Sequence, residues 1–535
     1  MKFLNTSLSR VTRWPLLFVC VLSSPVIAQG NNLFLTNGNI LTLDENDSVV
    51  NSVLVSNGRI AELGNDLQAP AGVQTVDLDG RTMIPGLMDS HVHFIRHGLR
   101  PGYDMREIES VRSIAELQAA LTAKANAIPA GALITVVAGW APLQLAENRF
   151  PTRAELDEAL PNNPVYIHYR AYGPAIANTA GMALFAEGGI QIAENGMVET
   201  REDAVAAYDY LKSRQTPEQR QRSTKSIMAY VNSLGMTSVI DGAGTNRPGA
   251  QLLLPAFDYD PILAVWKNKE MTVRVRPMFM SWDLEVGDGS GSSEVEERVR
   301  NSFMGHGDDM FRVAGLGEHT VNDSKSIQFY NATALAARRG WLLQEHSSSK
   351  EDNDYHIKAF ETANEIAPIA DLHWSLTHVH EIEQGILDRL IAIGAGVTVQ
   401  NQRFFSTDQS GPPFRMIVDS GIRVGGGTDS TVGHPMNPWY SIYYMATGKN
   451  VLGDEINADQ KITRLEALKL YTIGSAWFSH DENDLGNIEI GKHADFAVLS
   501  DDYLTVPEDE ILNLNSVLTI VGGKVVHSDP EFYSQ

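Results

Sequence analysis

Met83-Ile84-Pro85-Gly86-Leu87-Met88-Asp89-Ser90-His91-Val92-His93 reads as an apolar strand that runs out into two histidines. On a strand, residues two apart point to the same side. His91 and His93 can therefore face one point in space, as two ligands of one metal ion would. Two histidines on a solvated face would look the same, so an H-x-H alone is a weak signal. The downstream chain decides between the two. There, apolar β-like runs alternate with helical stretches, the mark of a parallel α/β fold. Candidate strands end near His93, Asp241, Met280, Glu318, His346, His378, Gln400 and Asp429. Helical periodicity lies between several of them, over Thr224–Leu234, Asp354–Ile366 and Ile382–Leu390. Eight strand–helix units predict a TIM-type (β/α)8 barrel.

That count requires residues 95–225, approximately, to be set aside as an insertion after barrel strand 1. The stretch carries β-like runs of its own, Leu133–Val137 and Val165–Tyr169. Upstream of the barrel, Leu33-Phe34-Leu35 and Val53-Leu54-Val55 are β-prone, and Asn37-Gly38 and Asn57-Gly58 are turn signals. The same texture returns at the far end in Phe496–Leu499, Val517–Val521 and Lys524–Val526. Neither end has enough strands for a stable sheet alone. The expectation is a composite β-sandwich domain from residues 29–84 and 480–535, flanking a barrel over 85–479. Asp288-Gly289-Ser290-Gly291-Ser292-Ser293 reads as a loop.

The polar residues at the strand ends form a set. Glu318, His346, His378 and Asp429 each close an apolar run, and such residues converge on the mouth of a TIM barrel. The spacings from Glu318 to His346 and from His346 to His378 each suit one strand–helix unit. Each residue alone has an ordinary structural role, as cap, salt-bridge partner or core histidine. Together with His91 and His93 they make a metal site. Four histidines and two carboxylates exceed one tetrahedral site. The preferred reading is two ions, Zn²⁺ or else Fe, Mn or Co, bridged by Glu318 and a hydroxide. Asp429 would serve as general base and then as acid toward the leaving group.

The bulk numbers set limits. Of 535 residues, 43% are hydrophobic and 20% charged, and the formal net charge is −24. A polyanion is repelled by nucleic-acid backbones and anionic membranes, so neither is an expected partner. A small-molecule substrate is, and a homodimer stays open. Lys2, Arg10 and Arg13, then Leu16–Leu22, then Val26-Ile27-Ala28 read as a bacterial signal peptide cleaved after Ala28, so residues 1–28 would be lost and the chain secreted or periplasmic. Cys20 is the only cysteine and would leave with it, so any metal must be held by His, Asp or Glu.

With these residues in place the sequence resembles the amidohydrolase superfamily. The matching motifs are Pro85–His93 with its H-x-H, His346, His378, Gly427-Thr428-Asp429 and Gly491-Lys492-His493-Ala494-Asp495. The insertion, with Gly139-Trp140, Arg149-Phe150-Pro151-Thr152-Arg153 and Asn178, is similar to the branch that contains N-substituted formamide deformylase. The resemblance implies a metal-dependent hydrolase of C–N bonds in amides. Hydrolysis of lactones or esters, deamination, and a non-catalytic regulatory role are the alternatives. Relatives often carry a carboxylated lysine at the end of the fourth strand, where Glu318 stands; Lys325 is the other candidate for that role. Relatives also tend to carry Asp-Gly-His where this chain has Ala171-Tyr172-Gly173-Pro174. Trp140, Arg170, Tyr172 and His319 are the candidate substrate contacts.

Overall fold

The computed structural model describes residues 31–170, 173–242, 259–280, 294–321, 323–430, 433–530 and 532. The segment read as a signal peptide, the loop at 288–293 and Tyr172 lie outside the described residues. Eight parallel strands carry the middle of the chain: β1 (Leu87–Val92), β2 (Met236–Asp241), β3 (Arg274–Phe279), β4 (Gly315–Leu316), β5 (Gln344–Ser347), β6 (Ser375–His378), β7 (Gly396–Val399) and β8 (Val424–Gly426). They hydrogen-bond as two four-stranded sheets, in the orders β4-β3-β2-β1 and β5-β6-β7-β8. The sheets touch at both margins. On one side Leu316 bridges Leu343 and the His346 N–H donates to the Glu318 carbonyl at 2.8 Å; on the other the Asp429 N–H donates to the His91 carbonyl at 2.9 Å. The result is one curled parallel sheet. Every residue of β1 is buried, as expected where a parallel strand is covered on both faces.

The connecting helices differ from their periodicity at the starts. Pro217–Ser233 and Lys350–Ile366 begin earlier than the apolar pattern does. The physical reason lies in their first turns, where Thr216 with Gln219 and Ser349 with Asp352 form capping boxes that satisfy the free N–H groups. A polar first turn adds nothing to an apolar repeat, so the pattern alone cannot register it.

Between β1 and β2 stands a separate five-stranded sheet. Its order is Met197–Val198, Ala175–Ala177, Val165–His168, Ile134–Val137, Tyr103–Asp104, and it has apolar clusters of its own. The chain ends meet in another sheet of six strands. Phe496–Leu499 pairs antiparallel with Thr82–Pro85, which pairs parallel with Asn39–Leu41. A four-stranded sheet of N-terminal strands lies against it, and Leu33, Leu35, Val53, Phe496, Val498 and Leu518 share one apolar cluster. Among the described residues no helix is long and apolar enough to cross a membrane.

Candidate metal centre

β1 delivers His91 and His93 to the C-terminal end of the curled sheet. Both are buried, at 0% and 1% exposure, although an unpaired buried imidazole is costly. Gly242, just after β2, leaves room for them: a Cβ there would lie 3.0 Å from His91 Cε1 and 3.4 Å from His93 Cε1. The neighbouring strands bring the remaining groups. Glu318 Oε1 lies 2.6 Å from His346 Nδ1 and 3.0 Å from His378 Nε2, while Oε2 lies 3.2 Å from His93 Nε2. Asp429 Oδ1 lies 3.6 Å from His91 Nε2 and 3.3 Å from His93 Nε2. All six residues named from the strand ends thus come together. Their ligand atoms fall into two groups, His91, His93, Glu318 and Asp429, and Glu318, His346 and His378, each within 4.8 Å throughout. Glu318 belongs to both.

Lys325 does not reach this cluster. Its ammonium pairs with Asp352 at 2.9 Å, 41% exposed. The peptide stretch after β4 turns Glu318 inward and carries Lys325 out to the surface.

The imidazoles are oriented from behind. The Gln344 side-chain oxygen accepts from His91 Nδ1 at 2.6 Å, and the Gln400 oxygen accepts from His378 Nδ1 at 2.9 Å. Each bond calls for a proton on Nδ1, a tautomer that would present the Nε2 lone pair to a bound metal ion. The Gln402 amide lies 2.6 Å from His378 Nδ1 and donates to Asp429 Oδ2 at 3.0 Å. Asp89 accepts from the backbone N–H of His91 at 2.9 Å and from the Thr428 hydroxyl at 2.6 Å, tying β1 to the turn after β8. Burial pushes its carboxyl up to about 7 against those bonds. None of these four stands out as a site residue in the sequence. Gln344 and Asp89 sit two residues before a ligand, so strand alternation was a signal for them. His378 and Asp429 hold left-handed backbone, at φ 74° and 50°. Such conformations cost about 1–3 kcal/mol each and collect at functional sites.

The charges are mutually dependent. Burial works to raise the Glu318 carboxyl, but hydrogen bonds with His346, His378 and His93 outweigh it and hold it well below the usual range. Asp429 is likewise held low against its burial, by His91 and His93. Burial and Arg96 press the His93 imidazole down, yet Asp429 and Glu318 hold it at about 9. Two carboxylates therefore create a strongly cation-attracting point. The residues fit divalent metal ions there. His91 Nε2 and Asp429 Oδ1 are both buried without a hydrogen-bond partner, which is costly unless something else binds them.

The candidate substrate contacts divide. The His319 ring stacks on His346 at 5.0 Å, beside the centre, and burial lowers it to about 3, so it is neutral. Arg170 is exposed, its guanidinium 4.9 Å over the Tyr169 ring. Trp140 is placed differently. It is 0% exposed, packs edge-on to Phe150 and Tyr169, and donates its N–H to the His168 carbonyl at 3.2 Å. It belongs to the apolar core of the inserted sheet.

A curled parallel α/β sheet with buried histidines and carboxylates converging at its C-terminal end is the frame of a metal-dependent hydrolase. Within that class the chain belongs to the amidohydrolase family, whose model matches residues 74–527. It is 23% identical over 557 residues to N-substituted formamide deformylase of Arthrobacter pascens, covering 93% of this chain and 98% of that one. Its fold is similar to an uncharacterized metal-dependent hydrolase from Pyrococcus horikoshii OT3, with a TM-score of 0.61 at 20% identity over 89% of this chain and 99% of that one. It is also similar to atrazine chlorohydrolase TrzN from Arthrobacter aurescens TC1 complexed with zinc, with a TM-score of 0.56 at 17% identity over 93% and 95%.

Proposed function

We propose that this amidohydrolase cleaves the C–N bond of a small amide at a two-ion centre. His91, His93, Asp429 and Glu318 would hold one ion, and His346, His378 and Glu318 the other. The single observation that carries the reading is the membership of Glu318 in both ligand groups. Imidazole and carboxylate donors suit zinc, with iron, manganese or cobalt as alternatives. Such ions polarise a carbonyl and lower the pKa of water bound beside it. Asp429 Oδ1 points at the same space and has no hydrogen-bond partner, so it can take the proton of the attacking water. Gln402 holds the other oxygen of that carboxylate, which keeps its geometry as the proton arrives. Asp429 then returns the proton to the leaving nitrogen, so that an amine departs rather than an unstable amide anion.

The two sheets are proposed to close into one (β/α)8 barrel over residues 85–479. Residues 95–225, approximately, form its inserted subdomain, and residues 29–84 and 480–535 a composite β-sandwich. Export with cleavage after Ala28 is part of the same reading, supported by the basic, apolar and small-residue order of residues 1–28.

The test is Asp429→Asn, assayed on N-acyl amino acids, formamides, lactones and cyclic ureas beside the parent. Loss of the general base should lower turnover by about 10²–10⁴-fold with the fold intact. Activity of the parent on lactones alone would eliminate the amide reading.

A further inference from the structure

Four side chains that can donate hydrogen bonds gather beside the centre from four separate segments. His380 follows β6, Arg403 follows β7, His434 follows β8, and Arg170 comes from the inserted sheet. Arg170 lies along the segment after β8: a Cβ on Gly433 would sit 3.5 Å from its Cγ and 3.6 Å from its Nε. His434 feels the charges of both Arg170 and Arg403, and His380 feels Arg403. The His380 ring is 6.1 Å from His378. Residue 402, next to Arg403, contacts both His378 and Asp429. His380 and the segment that carries Arg403 thus stand next to the centre.

Three of the cluster's polar atoms lack partners. Arg403 Nε, His380 Nδ1 and His434 Nδ1 are all shielded from solvent without a hydrogen bond. A buried donor left so costs about 1–3 kcal/mol. Arg403 donates to the neutral Gln409 side chain, and Arg170 rests on an aromatic ring. Among the described residues neither guanidinium is paired with a carboxylate. That is unusual in a chain with 66 acidic and 42 basic residues. Two buried arginines elsewhere do have carboxylate partners, Arg106 with Asp104 at 2.7 Å and Arg276 with Asp481 at 2.7 Å.

We propose that this rim binds the anionic end of the substrate: the amide cleaved at the centre carries a carboxylate, as an N-acyl amino acid does, and Arg403 and Arg170 hold it. A planar guanidinium fork matches a carboxylate through two parallel hydrogen bonds. The arrangement also solves an electrostatic problem. With two divalent ions bound the centre would itself attract an anion, so a substrate carboxylate needs cations that hold it to one side with the amide left over the centre. This inference rests on the amide-hydrolase reading, so its test separates the two.

The test compares N-acetyl and N-formyl amino acids with their methyl esters as substrates. It also uses an N-sulfonyl amino acid and its methyl ester as non-hydrolysable ligands in calorimetry on the full chain. The acid should be preferred over the ester by about tenfold or more in both kcat/KM and affinity. Arg403→Gln and Arg170→Gln should each reduce that ratio, and a conservative Arg403→Lys should restore part of it. Equal use and equal binding of acid and ester, or a ratio unmoved by both substitutions, overturns the proposal. Preferential binding of the N-sulfonyl acid without cleavage of any amide supports the rim and contradicts the amide-hydrolase reading. Cleavage of neutral amides with no acid preference does the reverse.

Discussion

The two ends of the parallel strands bury charge in opposite ways. Near their N-terminal ends, Arg274 of β3 is bidentate to Asp495 at 2.8 and 2.9 Å, and Arg276 holds Asp481 at 2.7 and 3.2 Å. Arg312 adds a third bond to that carboxylate at 2.7 Å. Beside them His373 stacks between Trp477 and His480, with ring centroids 4.0 and 3.9 Å away. Positive meets negative there, and most donors are used. At the C-terminal ends six groups converge, two carboxylates share four imidazoles, and buried lone pairs face each other without partners. Burial of charge is common to both ends. What distinguishes the second is that the ligand atoms of six residues converge there, and that convergence marks the site.

The comparison can be broken at either end. The largest effect is expected from Glu318→Gln, which keeps the shape and removes the shared charge. Turnover should fall by about 10³-fold or more, since both ion sites lose an anionic ligand. A steady-state assay checks it, and retained turnover would mean that Glu318 is a structural pair like Asp495. Arg274→Met should do the opposite. Stranding buried Asp495 should cost about 3–5 kcal/mol of stability with turnover per folded molecule unchanged, read by denaturant melts beside the assay. The smallest effect concerns pH. Burial first, and then His373, lowers His480 to about 4, below its unfolded value near 6.5. Its neutral form is the one the fold prefers. The stability it contributes is present above that unfolded value and is lost as pH falls through 6.5 toward 4. His480→Phe keeps a ring in the stack and should flatten that part of the stability–pH curve. A curve identical to the parent's would show that the stack does not titrate there.

Much of this was legible in the sequence, for reasons that apply strand by strand. Parallel strands buried on both faces read as plain apolar runs, and a polar residue that ends such a run stands out. That is why His91, His93, Glu318, His346, His378 and Asp429 could be named together. The choice between Glu318 and Lys325 was not legible, because it depends on how the chain turns after β4 and both lie in one short polar stretch. Gln400 and Gln402 escaped for a different reason: amides that orient a histidine from behind have no spacing of their own, whereas Gln344 and Asp89 were signalled only by standing two residues before a ligand. Trp140 misled because an indole reads alike in a core and in a pocket, and only the packing of Phe150 and Tyr169 around it tells them apart.

The claim that one carboxylate serves two ions is tested most directly by metal content. Elemental analysis of natively purified protein should find about two transition-metal equivalents per chain, falling to about one or fewer in Glu318→Gln with the fold retained. Metal-free native protein, or a Glu318→Gln variant that keeps its full complement, would contradict it.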